Sequence, residues 1–119
     1  MSKIDELINI IDKSIECDPW MRNAGIKGYA REMVSEAEEL VEAADSEDID
    51  HMKEELADVL REVIIISRFA KIDIDDIIDE IIEKIKRRQP YVLEGRKVTK
   101  DEAVRIWKEA KKKEKDALR

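Results

Sequence analysis

Large aliphatic side chains recur every three or four positions along most of this chain, the spacing that gives an α-helix one apolar face. Ile4, Leu7, Ile8, Ile11 and Ile15 form the first such stripe and predict a helix over Lys3–Glu16. Asp18-Pro19 ends it, because proline cannot continue a helix and disfavours the α conformation in the residue before it. A loop holding Gly25 and Gly28 is expected next. A second helix then runs over Tyr29–Ala44, with Met33, Ala37, Leu40, Val41 and Ala44 turned inward. Ser46-Glu47-Asp48 reads as a turn, and a third helix over Ile49–Ala70 is expected to bury Leu56, Val59, Leu60, Val63 and Ile66. A fourth, over Asp75–Arg88, carries Ile77, Ile78, Ile81, Ile82 and Ile85 and is closed by Gln89-Pro90. Thr99 with Glu102 forms a capping box that opens a fifth helix reaching Ala117. The pattern predicts an all-α protein, with helices two to four packed antiparallel in a bundle because their connections are short.

Composition sharpens this picture. A chain of 119 residues suits one domain with a modest core. Charged residues make up 45%, and there are only 3 Gly and 2 Pro, a balance that favours long amphipathic helices. A helical chain of this length buries a limited share of its surface alone, so apolar faces are expected to be shared between subunits. The one cysteine, Cys17, cannot form an internal disulfide, which makes a reducing compartment the default. The first residues lack a signal-peptide pattern, and the longest run of large apolar residues, Val63–Ile66, is far too short to cross a bilayer. A soluble cytoplasmic protein without a membrane partner is expected.

Charge is unevenly placed. The net value is −7, but residues 1–83 carry −15 and residues 84–119 carry +8. A basic end could bind nucleic acid. It could equally bring phosphate-binding bases to metal-binding acids, or simply form a solvated surface.

Two acid pairs stand out. Glu36 and Glu39 are three apart on the second predicted helix, and Glu55 and Asp58 are three apart on the third. That spacing puts both members of a pair on nearly the same face, one turn apart. Each pair lies at the edge of its apolar stripe, with the same phase, so antiparallel packing lets the four acids converge. Four close carboxylates repel and raise one another's pKa. Mg²⁺ is the natural counter-charge, since it takes oxygen ligands and is usually bound by carboxylates together with phosphates and water. Solvated acids at the same spacing also occur, as Glu80/Glu83 and Asp76/Asp79 show. A carboxylate-bridged di-iron bundle is excluded, because it needs two Glu-x-x-His motifs and His51 is the one histidine.

Lys84, Arg87 and Arg88 sit together at the end of the fourth predicted helix, where they suit phosphate or simply the helix dipole. Trp107 and Lys111 are four apart on the last helix and offer a π-face beside a positive charge, unless the indole is core packing. Trp20, after Pro19, could serve as a base platform or as a plug over the bundle. No Gly-rich phosphate loop is present.

In order, Cys17-Asp18-Pro19-Trp20, Glu36-x-x-Glu39, Glu54-Glu55-Leu56-Ala57-Asp58, Lys84-x-x-Arg87-Arg88-Gln89-Pro90-Tyr91-Val92, Trp107 and Glu114-Lys115 resemble the MazG-type nucleoside triphosphate pyrophosphohydrolases. The resemblance covers residues 17–115, and with the N-terminal helix it implies one MazG-like domain over residues 1–119. It further implies the all-α NTP pyrophosphatase bundle, completed as a homodimer or a dimer of dimers. Such an enzyme is Mg²⁺-dependent, with Mn²⁺ as a possible substitute, and cleaves (d)NTP to (d)NMP and pyrophosphate by water attack at the α-phosphorus. Glu36, Glu39, Glu55 and Asp58 inherit the metal-binding and catalytic role. Lys84, Arg87, Arg88, Trp107, Lys111 and Trp20 are candidates for holding the nucleotide. Related dUTP, dCTP or phosphoribosyl-ATP pyrophosphohydrolases are the alternative, and a non-catalytic helical dimer that binds nucleic acid is the less favoured one. The chain departs from the family's pattern at Ser35, Ala57, Met21-Arg22, Ala24-Gly25-Ile26, Gln89 and Tyr91.

Overall fold

The computed structural model describes residues 2–118, and it is helical from end to end, with no strand among the described residues. Helix α1 spans Lys3–Cys17. Ser2 caps it by accepting a hydrogen bond from the Asp5 amide, and Asp5 and Glu6 place negative charge in its first turn. Asp18 then leaves the α conformation and caps the next helix through its side chain, which accepts from the Trp20 amide at 2.9 Å.

Helix α2 therefore begins earlier than the apolar pattern predicts, at Pro19 rather than Tyr29, and runs to Asp45. The expected loop at Gly25 and Gly28 is a kinked helix instead. Pro19 stands at the first helical position, where a missing N–H costs nothing. The kink falls at Gly25, whose φ of 61° and ψ of −164° lie in a region open essentially to glycine alone. Arg22 braces the corner between α1 and α2 by donating to the Ile15 carbonyl at 2.9 Å.

A tight turn of Ser46, Glu47 (φ 57°) and Asp48 reverses the chain. Asp48 caps α3, Ile49–Ala70, by accepting from the His51 amide, and α3 ends at Lys71 in a left-handed conformation. Helices α2 and α3 pair antiparallel, and α1 lies against both. Ile11 of α1, Met21 and Tyr29 of α2, and Ile64 and Ile65 of α3 make the core, with Leu7, Ile8, Ile15 and Phe69 packed around it. Asp12 of α1 also accepts two hydrogen bonds from Arg68 of α3, at 2.7 and 2.8 Å, a bidentate pair that fixes the register.

Several residues expected inside lie outside. Leu56 is 55% exposed, Leu60 47% and Val41 59%, and Ala37 and Ala44 are exposed too. Helix α3 spends its other faces elsewhere: one, with Ile64 and Ile65, meets α1, and another carries buried Glu55 and Glu62. The remaining apolar stripe finds no room in a three-helix core.

Residues 2–74 form one compact unit and residues 75–118 a second. Helix α4, Ile74–Arg88, supplies the second unit's first element. A short helix α5, Pro90–Leu93, not anticipated from the sequence, follows it. Helix α6, Lys100–Ala117, is capped by Thr99 accepting from the Glu102 amide, as the capping box predicts. Glu114 of α6 receives Arg87 at 2.6 Å and Arg88 at 3.0 Å, tying α6 back along α4.

Candidate functional site

The interface of α2 and α3 contains a seam of carboxylates. Glu32, Glu36 and Glu39 occur at spacings of four and three on α2, and Glu55, Asp58 and Glu62 at three and four on α3. Each set therefore follows one face of its helix. Antiparallel pairing brings the two faces together. One carboxylate oxygen from each of Glu36, Glu39 and Glu55 lies within 4.8 Å of the others, and the same holds for Glu32, Glu36 and Glu62. Asp58 is outside both groups at that distance, but its charge acts on Glu36 and on Glu62.

Burial makes this crowding costly. Glu55 and Glu62 are buried, and Oε2 of Glu36, Glu55 and Glu62 is enclosed without a hydrogen-bond partner. Glu36 responds by holding its proton: its carboxyl is pushed up to about 8 by a hydrogen bond to Glu55, by burial, and by the charges of Asp58, Glu55 and Glu39. Glu39 is raised, chiefly by the same hydrogen bonding to Glu55, while Glu55 is lowered because Glu36 donates to it. His51, one turn before Glu55, puts its Nε2 3.3 Å from Glu55 Oε1 and steadies that carboxylate from the solvent side.

The chemistry of this donor set suits a hard divalent cation. It is all oxygen, strongly anionic, and partly unsatisfied, which fits Mg²⁺ or Mn²⁺ far better than a metal that seeks imidazole or thiolate. The structure thus brings Glu36, Glu39 and Glu55 together as expected, while Asp58, the expected fourth member, stays outside the group at that distance. Sequence reasoning missed Glu32, Glu62 and the contact of His51. Extending each acid pair by one helical turn at a spacing of four would have found the two glutamates.

In the second unit, Arg88 and Lys111 lie over the face of Trp107, at 5.8 and 4.6 Å from the ring centroid. A groove of about 650 Å³ is lined by Glu80, Lys84, Arg87, Lys113 and Glu114. A smaller one, about 230 Å³, opens beside Trp107 with Gln89 and Tyr91. Lys84 is 3.9 Å from Glu80. Trp20 belongs to the first unit, 64% exposed and edge-on to Tyr29 at 6.1 Å.

Paired helices that enclose an all-oxygen carboxylate cluster define a class of candidate divalent-cation sites. Residues 25–93, a stretch that runs through both units, match the MazG nucleotide pyrophosphohydrolase domain, and the chain belongs to that family. It is 38% identical to the uncharacterized protein YabN of Bacillus subtilis over 82% of this chain and 21% of that one. It is 31% identical to a nucleoside triphosphate pyrophosphohydrolase of Mycolicibacterium smegmatis over 95% of this chain and 37% of that one. The chain thus spans well under half the length of these relatives. Its fold is similar to the crystal structure of a mazG-related protein from Thermotoga maritima. There the TM-score is 0.77 at 31% identity, covering 91% of this chain and 98% of that one. No helix among the described residues is long and apolar enough to cross a membrane.

Proposed function

We propose that this chain is a Mg²⁺-dependent nucleoside triphosphate pyrophosphohydrolase, converting (d)NTP and water to (d)NMP and pyrophosphate. The observation that carries the reading is the convergence of Glu36, Glu39 and Glu55 oxygens within 4.8 Å between two antiparallel helices. The family and the names of its relatives support it.

Glu36, Glu39, Glu55 and Asp58 would hold the cation, and the unpartnered Oε2 atoms of Glu36 and Glu55 are the donors that lack any other use. When bound, Mg²⁺ neutralises charge on phosphate oxygens as it develops during attack at the α-phosphorus. Glu39, exposed at the rim of the cluster, orients the attacking water and takes its proton, its hold on a proton strengthened by hydrogen bonding to Glu55 and by that carboxylate's charge. His51 holds Glu55 in place. Lys84, Arg87 and Arg88 bind the polyphosphate and the departing pyrophosphate, Arg by its planar fork. Trp107, with Lys111 beside it, and Trp20 offer faces for the base. The two units serve as one MazG-like domain in a cytoplasmic protein. A second copy covers the exposed apolar stripe of α2 and α3, and Mn²⁺ substitutes for Mg²⁺.

Pyrophosphate release from a panel of ribo- and deoxynucleoside triphosphates, with and without Mg²⁺, tests this directly and sorts dUTP or dCTP preference from broad activity. Glu55→Gln and Asp58→Asn should each lower kcat by about 100-fold or more while helical circular dichroism persists. Wild-type turnover in both variants, or no Mg²⁺-dependent pyrophosphate from any nucleotide, overturns the reading.

A further inference from the structure

Glu62 has no use in the mechanism above, yet it is the most enclosed acid of the chain. It is 2% exposed, and its Oε2 is buried without a hydrogen-bond partner. Burying a carboxyl group with an unsatisfied oxygen is costly, and a lone glutamate at a helix interface would be replaced without loss by an apolar residue. Glu62 is not alone. One of its oxygens lies within 4.8 Å of oxygens of both Glu32 and Glu36. The charges of Glu32, Asp58 and Glu55 bear on it, against that of Arg61, its neighbour in the chain.

We propose that Glu32, Glu36 and Glu62 form a second divalent-cation site, one turn along the seam from the first and sharing Glu36 with it. Three oxygens no more than 4.8 Å apart can all reach a central ion at about 2.1–2.6 Å if each moves by less than about 1 Å. The set is all carboxylate, so the ion is hard: Mg²⁺, or Mn²⁺ in its place. Glu32 is exposed and leaves one side of the site open to water, as suits Mg²⁺, which gives up its waters reluctantly. Glu36, which belongs to both groups of acids, bridges the two ions. The inference rests on the proposed reading of the first site but is separable from it, because each ion depends on a different residue of α3: Glu55 for the first, Glu62 for the second.

Counting bound Mn²⁺ by electron paramagnetic resonance on the whole chain, without nucleotide, tests it. The wild-type protein is expected to bind two Mn²⁺ per chain, and Glu62→Gln and Glu32→Gln one each. Glu32 is exposed, so its variant removes a ligand without disturbing the interior, and Glu62→Gln keeps the shape of the buried side chain. One Mn²⁺ per wild-type chain, lost in Glu55→Gln and kept in Glu62→Gln, overturns the second site and leaves the first standing. Two ions retained in either Glu62→Gln or Glu32→Gln also overturns it. No bound Mn²⁺ at all overturns both sites.

Discussion

Glu36 is the residue on which the seam's charges converge, and it links pH to stability. Its folded-state pKa, about 8, is raised above that of an ordinary carboxylate. The folded chain therefore holds a proton that the unfolded chain gives up first. The stability this contributes is fully present below the ordinary carboxylate range and is lost as pH rises through about 8. In chelator, the melting temperature should fall as pH rises from about 4.5 to about 8. Mg²⁺ should restore it at the upper end, and Glu36→Gln should flatten the slope in chelator. An unchanged slope in that variant would place the titration elsewhere. Glu114 works in the opposite sense: Arg87 and Arg88 hold it below the ordinary range, so its contribution is lost as pH falls. Tyr29 offers a simpler test. Its hydroxyl is buried without a partner, so Tyr29→Phe should leave stability unchanged or raise it by up to about 1 kcal/mol in chemical denaturation. At this scale much of the cluster was legible. Spacing of three picked out Glu36, Glu39, Glu55 and Asp58, while Glu32 and Glu62 were passed over because each continues its face one turn further at a spacing of four.

At the scale of the element, periodicity located α1, α3, α4 and α6 almost to the residue, since long amphipathic stripes with Ser2, Asp48 and Thr99 as caps agree at every level. The first turns of α2 escaped because Gly25 and Gly28 read as a loop, and Met21 and Ala24, which do pack on the core, are too short a stripe to reveal a helix alone. Asp18-Pro19 was read as a stop when it is equally a start: a capping aspartate followed by proline at the first helical position. The bend that follows depends on one residue. A Cβ at Gly25 would meet nothing within 4 Å, so the constraint there is conformational and not steric crowding by neighbours. Gly25→Ala should therefore cost about 1–3 kcal/mol in chemical denaturation through backbone strain alone. A neutral result would mean that the kink relaxes without loss.

For the whole molecule, the stripes expected to be buried on α2 and α3 do not coincide with the faces this chain buries. Periodicity tells which side chains share a face, but not which neighbour that face will meet. Leu56 and Leu60 were expected in the core and stand exposed with Val34 and Val41, while Ile64, Ile65 and Tyr29 fill it. So much aliphatic surface on two adjacent helices is more than a soluble monomer leaves uncovered. Sedimentation should give the mass of a dimer or a higher multiple. The double variant Leu56→Glu/Leu60→Glu should sediment as a monomer with its helices intact. A monomeric wild type would remove the shared interface.

The seam between α2 and α3 has a dynamic consequence. Two helices that meet through crowded carboxyl groups are held together less firmly there than at the apolar core that holds Tyr29, Ile64 and Ile65. The middle turns of α2, around residues 32–39, should therefore open more often than its kinked beginning. Amide hydrogens in those turns should exchange with deuterated solvent quickly after chelation and slowly once Mg²⁺ is added, so that the ion acts as a latch on the fold as well as a reagent.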